Sequence, residues 1–377
     1  MNAIIVSCFG FYEERLRFIE EYLEQEGYKV KVLLSDFDHV KKDRVKDKYE
    51  NISYIRTMEY KKNLSVKRIL SHYLFAKDVL KEVTLHKPDL LYVLVPPNFL
   101  TKFIGKYRKK NNTKLIFDII DLWPESFPNS KLNTKWNVLF KYWGKLRDKY
   151  LKHADLIITE CNLYQKVLEN PLKGKNVQTL YLTRDNENRT IKYKYKPGKL
   201  NLAYIGQINH LIDIPLIAAI LGRVNKVVPI KLHIIGDGNN RELFIKMMRE
   251  CGIEIKYYGK LFDEDKKYKI FEKCDFGLNI MKSTVSVGLT RKSMEYFGAG
   301  LPIINNIKAD TNDLVDQYNI GINVTNENLE DAVTKIINLE EAELLLMRNN
   351  VTEVFNKLFS HNVASNNIQE IFKKINL

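Results

Sequence analysis

Arg291, Lys292 and Glu295 follow Gly288 and Thr290 in the stretch Thr284–Asn306, TVSVGLTRKSMEYFGAGLPIINN, and that order of residue types suits a nucleotide. Thr290 caps a helix running to Phe297, the Gly298-Ala299-Gly300 break ends it, and Leu301–Ile304 continues as a buried strand. At the helix start, free N–H groups and the macrodipole already favour an anion. Arg291 and Lys292 add two charges there, enough for a diphosphate. Without an anion each would cost about 0.3–1 kcal/mol. Glu295 lies three residues beyond Lys292 on the same face, where a carboxylate can accept both hydroxyls of a ribose. The same residues are also compatible with a solvated amphipathic helix that follows a loop.

The elements needed to position such a helix are legible. Ala3–Cys8 reads as a strand, Glu13–Glu26 as a helix stopped by Gly27, and Tyr28–Leu34 as a second strand, an opening that demands a parallel sheet. Further strands at Leu90–Val95, Leu115–Ile120 and Leu156–Thr159 extend it. Gly10 and Phe11 then fall at the carboxyl end of the first strand, where doubly wound sheets bind ligands. A G-x-G-x-x-G fingerprint is missing, which argues against a nicotinamide enzyme. The second half repeats the alternation from Leu200. Its strand tips carry Gly206-Gln207, Gly236, Gly238, Gly259 and Gly288, small residues that let backbone approach a ligand.

The polar run TRDNENRTIKYKYKPGK separates the halves. The expected organisation is a domain over 1–183, a linker over 184–199, a domain over 200–355, and a C-terminal helix within 356–377 that returns to the first domain. A chain of 377 residues, 45% hydrophobic and 28% charged, suits two cores. Cys8, Cys161, Cys251 and Cys274 show no C-x-x-C pairing, so neither a zinc site nor a disulfide framework is expected. Asp36-Phe37-Asp38 matches a D-x-D metal pattern, but two acids in a polar loop are more commonly solvated, and no histidine pair has ligand spacing. The expectation is no essential metal and no cofactor. With no signal-peptide pattern and no apolar run of spanning length, a cytoplasmic protein is expected.

Gly288-Leu289-Thr290-Arg291-Lys292-Ser293-Met294-Glu295-Tyr296, followed by Gly300, Pro302 and Ile304, resembles the G-L-P-x-K-x-x-E-Y-x-x-x-G-x-P-x-I element of retaining GT-B glycosyltransferases, glycosyltransferase family 4. The resemblance extends to Asp121-Leu-Trp-Pro-Glu125-Ser and to His153-Ala-Asp-Leu-Ile-Ile-Thr159, and points to the branch that makes bacterial surface polysaccharide. It implies two doubly wound Rossmann-like domains facing across a cleft. Glu295 would bind the donor ribose; Gly206, Gln207, Gly236, Gly238, Gly288, Leu289, Thr290, Arg291 and Lys292 would complete the donor site. Gly10 and Phe11 would lie on the acceptor side, and Asp121 and Glu125 would contact sugar or acceptor hydroxyls. The implied reaction transfers a hexose-type sugar from a nucleotide-sugar to a glycan or polyprenyl-linked acceptor with retention of configuration. Two positions depart from the pattern: Val287 replaces a glutamate that touches the transferred sugar, and Gln207 stands where an arginine is common. A non-catalytic nucleotide-sugar-binding subunit and a sugar-nucleotide epimerase are therefore the alternative readings.

The net charge of +14 and pI near 9.3 bias the surface toward anions. Lys131, Lys135, Lys141, Lys145, Arg147, Lys149 and Lys152 flank a stripe of Trp136, Leu139, Phe140, Trp143 and Leu146; Lys61–Lys81 repeats the theme with Leu64, Ile69, Leu70, Tyr73 and Leu74. Such stripes suit the surface of an anionic membrane, here the inner face of the cell membrane, or simply pack on the first sheet. No nucleic-acid motif accompanies the charge.

Overall fold

The computed structural model describes residues 1–46, 52–63, 65–126, 134–185 and 192–375. They form two compact units, Met1–Leu182 with Ala364–Leu377, and Thr183–Val363. In the first, strands β1 (Asn2–Ser7), β2 (Lys29–Ser35), β5 (Ile52–Ile55), β6 (Leu90–Val95), β7 (Lys114–Ile119), β8 (Leu156–Thr159) and β9 (Val177–Thr179) make a parallel sheet in the order β5-β2-β1-β6-β7-β8-β9. A short antiparallel ladder, β3 (Phe37–Asp38) with β4 (Asp43–Arg44), stands apart. β6 is buried along its whole length because helices cover both faces of the sheet. One face packs on Phe75, Val79 and Ile104, the other on Leu16, Ile19 and Leu23 together with Ile368, Ile371 and Phe372.

In the second unit, β10 (Leu200–Ile205), β11 (Ile230–Ile235), β12 (Glu254–Gly259), β13 (Phe276–Asn279), β14 (Ile303–Asn305) and β15 (Gly321–Asn323) form a parallel sheet in the order β12-β11-β10-β13-β14-β15. The chain order folds back on each side of β10, the doubly wound arrangement that leaves a ligand crevice at the carboxyl ends of the strands.

The structure moves both expected boundaries. Residues 356–363 stay in the second unit, where Val351, Val354, Phe355 and Phe359 are buried. The described part of 184–199 is bonded into that unit as well: Arg184 N donates to Phe359 O at 2.8 Å, and the Tyr193 hydroxyl donates to Asp275 at 2.5 Å. Polar composition hides these anchors because each side chain reaches a partner distant in sequence.

The helix Thr134–Leu151 turns Trp143 and Leu146 inward. Trp143 packs edge-on to Phe99 at 5.2 Å between ring centres, so this part of the stripe serves the first core and not a membrane. Val138 and Tyr142 are exposed, beside exposed Lys141, Lys145 and Lys149. On the helix Val66–His86, Val66, Ile69 and Leu70 are exposed. Leu64, Lys131 and the side chains of Lys135, Trp136 and Leu139 lie outside the described residues. Among the described residues, no helix is long and apolar enough to cross a membrane.

Candidate nucleotide site

The helix Arg291–Gly298 follows β13 by way of the loop 280–290, and its start is fixed by a reciprocal cap. Thr290 Oγ1 accepts from Ser293 N at 3.0 Å while Ser293 Oγ accepts from Thr290 N at 3.1 Å. The Thr290 hydroxyl also donates to Asn279 Oδ1 at 2.7 Å. From there a chain of amides crosses the sheet in register: Asn279 donates to Asn305 at 2.9 Å, Asn305 to Asn323 at 2.8 Å, and Asn323 to Asp316 at 2.8 Å. Asn279 and Asn305 are fully buried, so every link matters; an unpaired buried amide costs about 1–3 kcal/mol. The ladder pins the helix start to three strands.

Lys292 is the second residue of this helix, in its first turn. Part of its side chain is exposed, but Nζ is enclosed and has no hydrogen-bond partner. It lies 5.0 Å from the centre of the Tyr204 ring, and its Cγ and Cδ pass 3.5 Å from where a Cβ on Gly206 would stand. Burial pushes its pKa from 10.5 down to about 8. An enclosed ammonium without a counter-charge is the mark of a site that expects an anion.

Glu295 is held on two sides. Arg184 Nη1 lies 2.5 Å from Oε1, and Lys267 Nζ donates to Oε2 at 3.1 Å. Glu264 bridges the same two cations, pairing with Arg184 Nη2 at 2.5 Å and with Lys267. The result is a closed ring of alternating charge. Burial opposes the Arg184 charge, but Glu295 and Glu264 beside it outweigh burial and hold its pKa above the ordinary value. Each Glu295 oxygen keeps lone-pair capacity for a hydroxyl donor. Arg184 and Lys267 were not recognisable from sequence, since neither belongs to the loop-helix motif.

The other expected donor residues divide. Gly206, at φ +114°, lies beside the Lys292 stem. Gly236 and Gly238 have a different reason to be glycine: a Cβ on Gly236 (φ +140°) would stand 2.0 Å from Gly206 O, and one on Gly238 2.2 Å from Ile208 O. Their lack of a side chain serves loop-on-loop packing whether or not a ligand is near. Gly288 O accepts from Thr311 N and Oγ1 at 2.9 and 2.6 Å, and Leu289 is buried, so that loop is anchored to the next helix. Gln207 and Arg291 are exposed.

In the first unit, Gly10 and Phe11 form a short turn, Gly10–Tyr12, after β1; the side chain of Phe11 lies outside the described residues. Asp121 Oδ1 accepts from Ser126 Oγ at 2.8 Å, and burial raises its pKa against that bond and the charge of Arg68. Glu125 makes a two-pronged ion pair with Arg147, at 2.8 and 2.9 Å, and Arg147 is fully buried. Glu125 and Asp148, the latter also at 2.8 Å, together neutralise this buried charge, so the carboxylate expected to be catalytic is also an ion-pair partner. Of the D-x-D acids, Asp36 accepts from Arg44 at 2.6 Å and from Thr57 N at 2.8 Å, and Asp38 accepts from Val40 N and Lys41 N. Among the described residues no cluster of three His, Cys, Asp or Glu side chains is placed to share a metal.

These two parallel-sheet units define the class: the chain has the GT-B fold of two Rossmann-like domains. Solved structures share it across nearly the full length. A lipopolysaccharide outer core galactosyltransferase, WaaB in its apo form, matches with TM-score 0.71 and 14% identity, covering 99% of each chain. Sucrose-phosphate synthase from Thermosynechococcus elongatus matches with TM-score 0.69 and 11% identity over 100% of this chain and 99% of that one. Anabaena Alr3699/HepE in complex with UDP-glucose gives 0.64 and 14% over 99% and 100%. No curated protein matches the sequence. More specifically, residues 199–341 match the family described as Glycosyl transferases group 1, and the capped helix and Glu295 lie within that stretch.

Proposed function

We propose that the protein is a glycosyltransferase that moves a hexose-type sugar from a nucleotide-sugar to a glycan or polyprenyl-linked acceptor in surface-polysaccharide synthesis, with retention of configuration. The observation that carries the donor half of this reading is Lys292 Nζ, enclosed and unpartnered beside the capped helix start and Gly206. In this reading the diphosphate takes Lys292, Arg291 and the N–H groups at the start of the helix, while the ribose hydroxyls bond Glu295. Positive charge on the leaving diphosphate lowers the barrier to departure, and a leaving-phosphate oxygen accepts the acceptor's proton. No metal and no separate cofactor enter this scheme.

The acceptor half rests on the first unit. Asp121 and Glu125 are the candidates for an acceptor hydroxyl, Glu125 while paired with Arg147. Exposed Val66, Ile69, Leu70, Val138 and Tyr142, with Lys67, Lys141, Lys145 and Lys149, supply the apolar and cationic groups for docking on an anionic membrane. Co-sedimentation with anionic vesicles, lost in a Lys141/Lys145/Lys149 to glutamine variant, tests that part.

The donor reading is tested by a thermal-shift screen of uridine, guanosine and thymidine diphosphates. At 100 times its dissociation constant the right nucleotide adds about 2.7 kcal/mol. Glu295→Ala should remove that response; an unchanged response removes Glu295 from the site. Release of free sugar without an acceptor would favour an epimerase or hydrolase, and tight binding without turnover a non-catalytic subunit.

A further inference from the structure

At the carboxyl edge of the first sheet, the helix Val66–His86 begins with no acidic residue in its first turn and with Arg68 nearly enclosed, 8% exposed. The Arg68 guanidinium carbon lies 4.9 Å from the centre of the Trp123 ring and 5.9 Å from that of Tyr60. Nη1 donates to Asn63 O at 3.1 Å, and Nε has no partner. Among the described residues no carboxylate pairs with it. Arg147 and Arg15, the other strongly buried arginines of this unit, each have such a partner at 2.6–2.8 Å. Removing a guanidinium from water without a counter-ion costs several kcal/mol.

A second cation is directed to the same place. Lys42 adopts φ +59°, a left-handed conformation that lysine rarely takes, and its Nζ lies 4.8 Å from the Tyr60 ring centre. His39 bonds the Tyr60 hydroxyl at 2.5 Å through Nδ1, and enclosed His72 leaves Nε2 unpartnered. Burial, with Arg68 and Lys42 nearby, keeps both imidazoles neutral at pH 7, so they offer hydrogen bonds and little charge.

We propose that Arg68, Lys42 and His72 form an anion subsite that binds a phosphate ester. Asp121 acts on Arg68 and Asp38 on Lys42 only from beyond ion-pair distance, and Lys42 Nζ donates to Asn63 Oδ1, so two cations without a carboxylate in direct contact fit the charge of nearly two units that a phosphate monoester carries at pH 7 better than that of one carboxylate. Arg68 presents a planar donor fork, which suits phosphate oxygens, and the helix start adds its dipole. Assigning the phosphate to the sugar acceptor rests on the glycosyltransferase reading; the anion site itself does not.

Isothermal titration with geranyl phosphate, inorganic phosphate and geraniol tests the site on the wild type, Arg68→Gln, Lys42→Gln and Lys292→Ala. Geranyl phosphate should bind the wild type and Lys292→Ala alike, and about tenfold or more weakly to the two first-unit variants, with geraniol unbound. Equal affinity for inorganic phosphate supports the site with free phosphate as the source; a preference for geranyl phosphate supports the lipid-borne one. Unchanged affinity in Lys42→Gln, an absence of phosphate-ester binding, or a loss confined to Lys292→Ala overturns the proposal. Lys42 is half-exposed, so its variant decides the matter if Arg68→Gln fails to fold. Nucleotide response in the thermal screen is read separately, so a failed subsite leaves the donor reading standing, and the reverse holds too.

Discussion

Arg184 Nη1 rests 2.5 Å from Glu295 Oε1, joining a residue just after the first unit's main segment to the carboxylate expected to grip a ribose. The pair fixes the orientation of Glu295 before any nucleotide arrives. Orientation set in advance reduces the ordering that binding must otherwise impose.

Arg184→Ala should therefore weaken binding of the nucleoside diphosphate chosen by the thermal screen by about tenfold, and Arg184→Lys should recover part of the loss. Calorimetric titration checks this. An affinity unchanged by Arg184→Ala would mean that Glu295 needs no support.

Lys292 should make the protein pH-dependent in two opposite ways. Its folded pKa of about 8 lies below the ordinary 10.5, so the unfolded chain holds this proton to higher pH, and its contribution to stability rises from about pH 8 to 10.5. Diphosphate affinity should fall over the same range as the free site loses its charge. Lys292→Met should be more stable than wild type at pH 7, by about 1–3 kcal/mol, and should bind nucleotide poorly. Urea midpoints of both proteins at pH 7 and pH 10 measure the difference, and equal midpoint shifts would refute the assignment.

Glu125→Ala should destabilise the protein by about 1–3 kcal/mol, because buried Arg147 loses its two-pronged partner and keeps Asp148, at 2.8 Å, as its remaining counter-charge. Any loss of activity in this variant must be compared with its melting temperature. A variant as stable as wild type would contradict the structural role given to this pair.

Gly236→Ala should lower stability by about 2–4 kcal/mol in the absence of any ligand, since the new Cβ would meet Gly206 O at 2.0 Å. Denaturant unfolding of the ligand-free protein is the measurement; a wild-type midpoint would show that the two loops separate easily.

The alternation of apolar strands and amphipathic helices was readable because burial imposes a period on the chain, and the Thr290 cap because a short-range bond needs a particular residue at a particular spacing. Charge pairing has no such period. Arg184 with Glu295, Arg15 with Asp118 at 2.6 Å, and Arg147 with Glu125 join residues 111, 103 and 22 positions apart, so nothing local in the sequence announces them. The Asn279–Asn305–Asn323 ladder has no local signature either, as it requires the register of three parallel strands. Periodicity locates the aromatic stripe near Trp143 but not its direction, since it finds a face and says nothing of what covers it.

The first sheet's packing on Ile368, Ile371 and Phe372 sets an order of events during synthesis. The second unit is one continuous segment and has all its parts once Val363 clears the ribosome. The first unit begins earlier yet waits for the helix His361–Lys373 to cover Tyr92 and its neighbours. Until then one apolar face of a parallel sheet is incomplete, a surface that invites chaperone capture or aggregation. A stop codon near residue 360 should thus damage the half of the molecule made first.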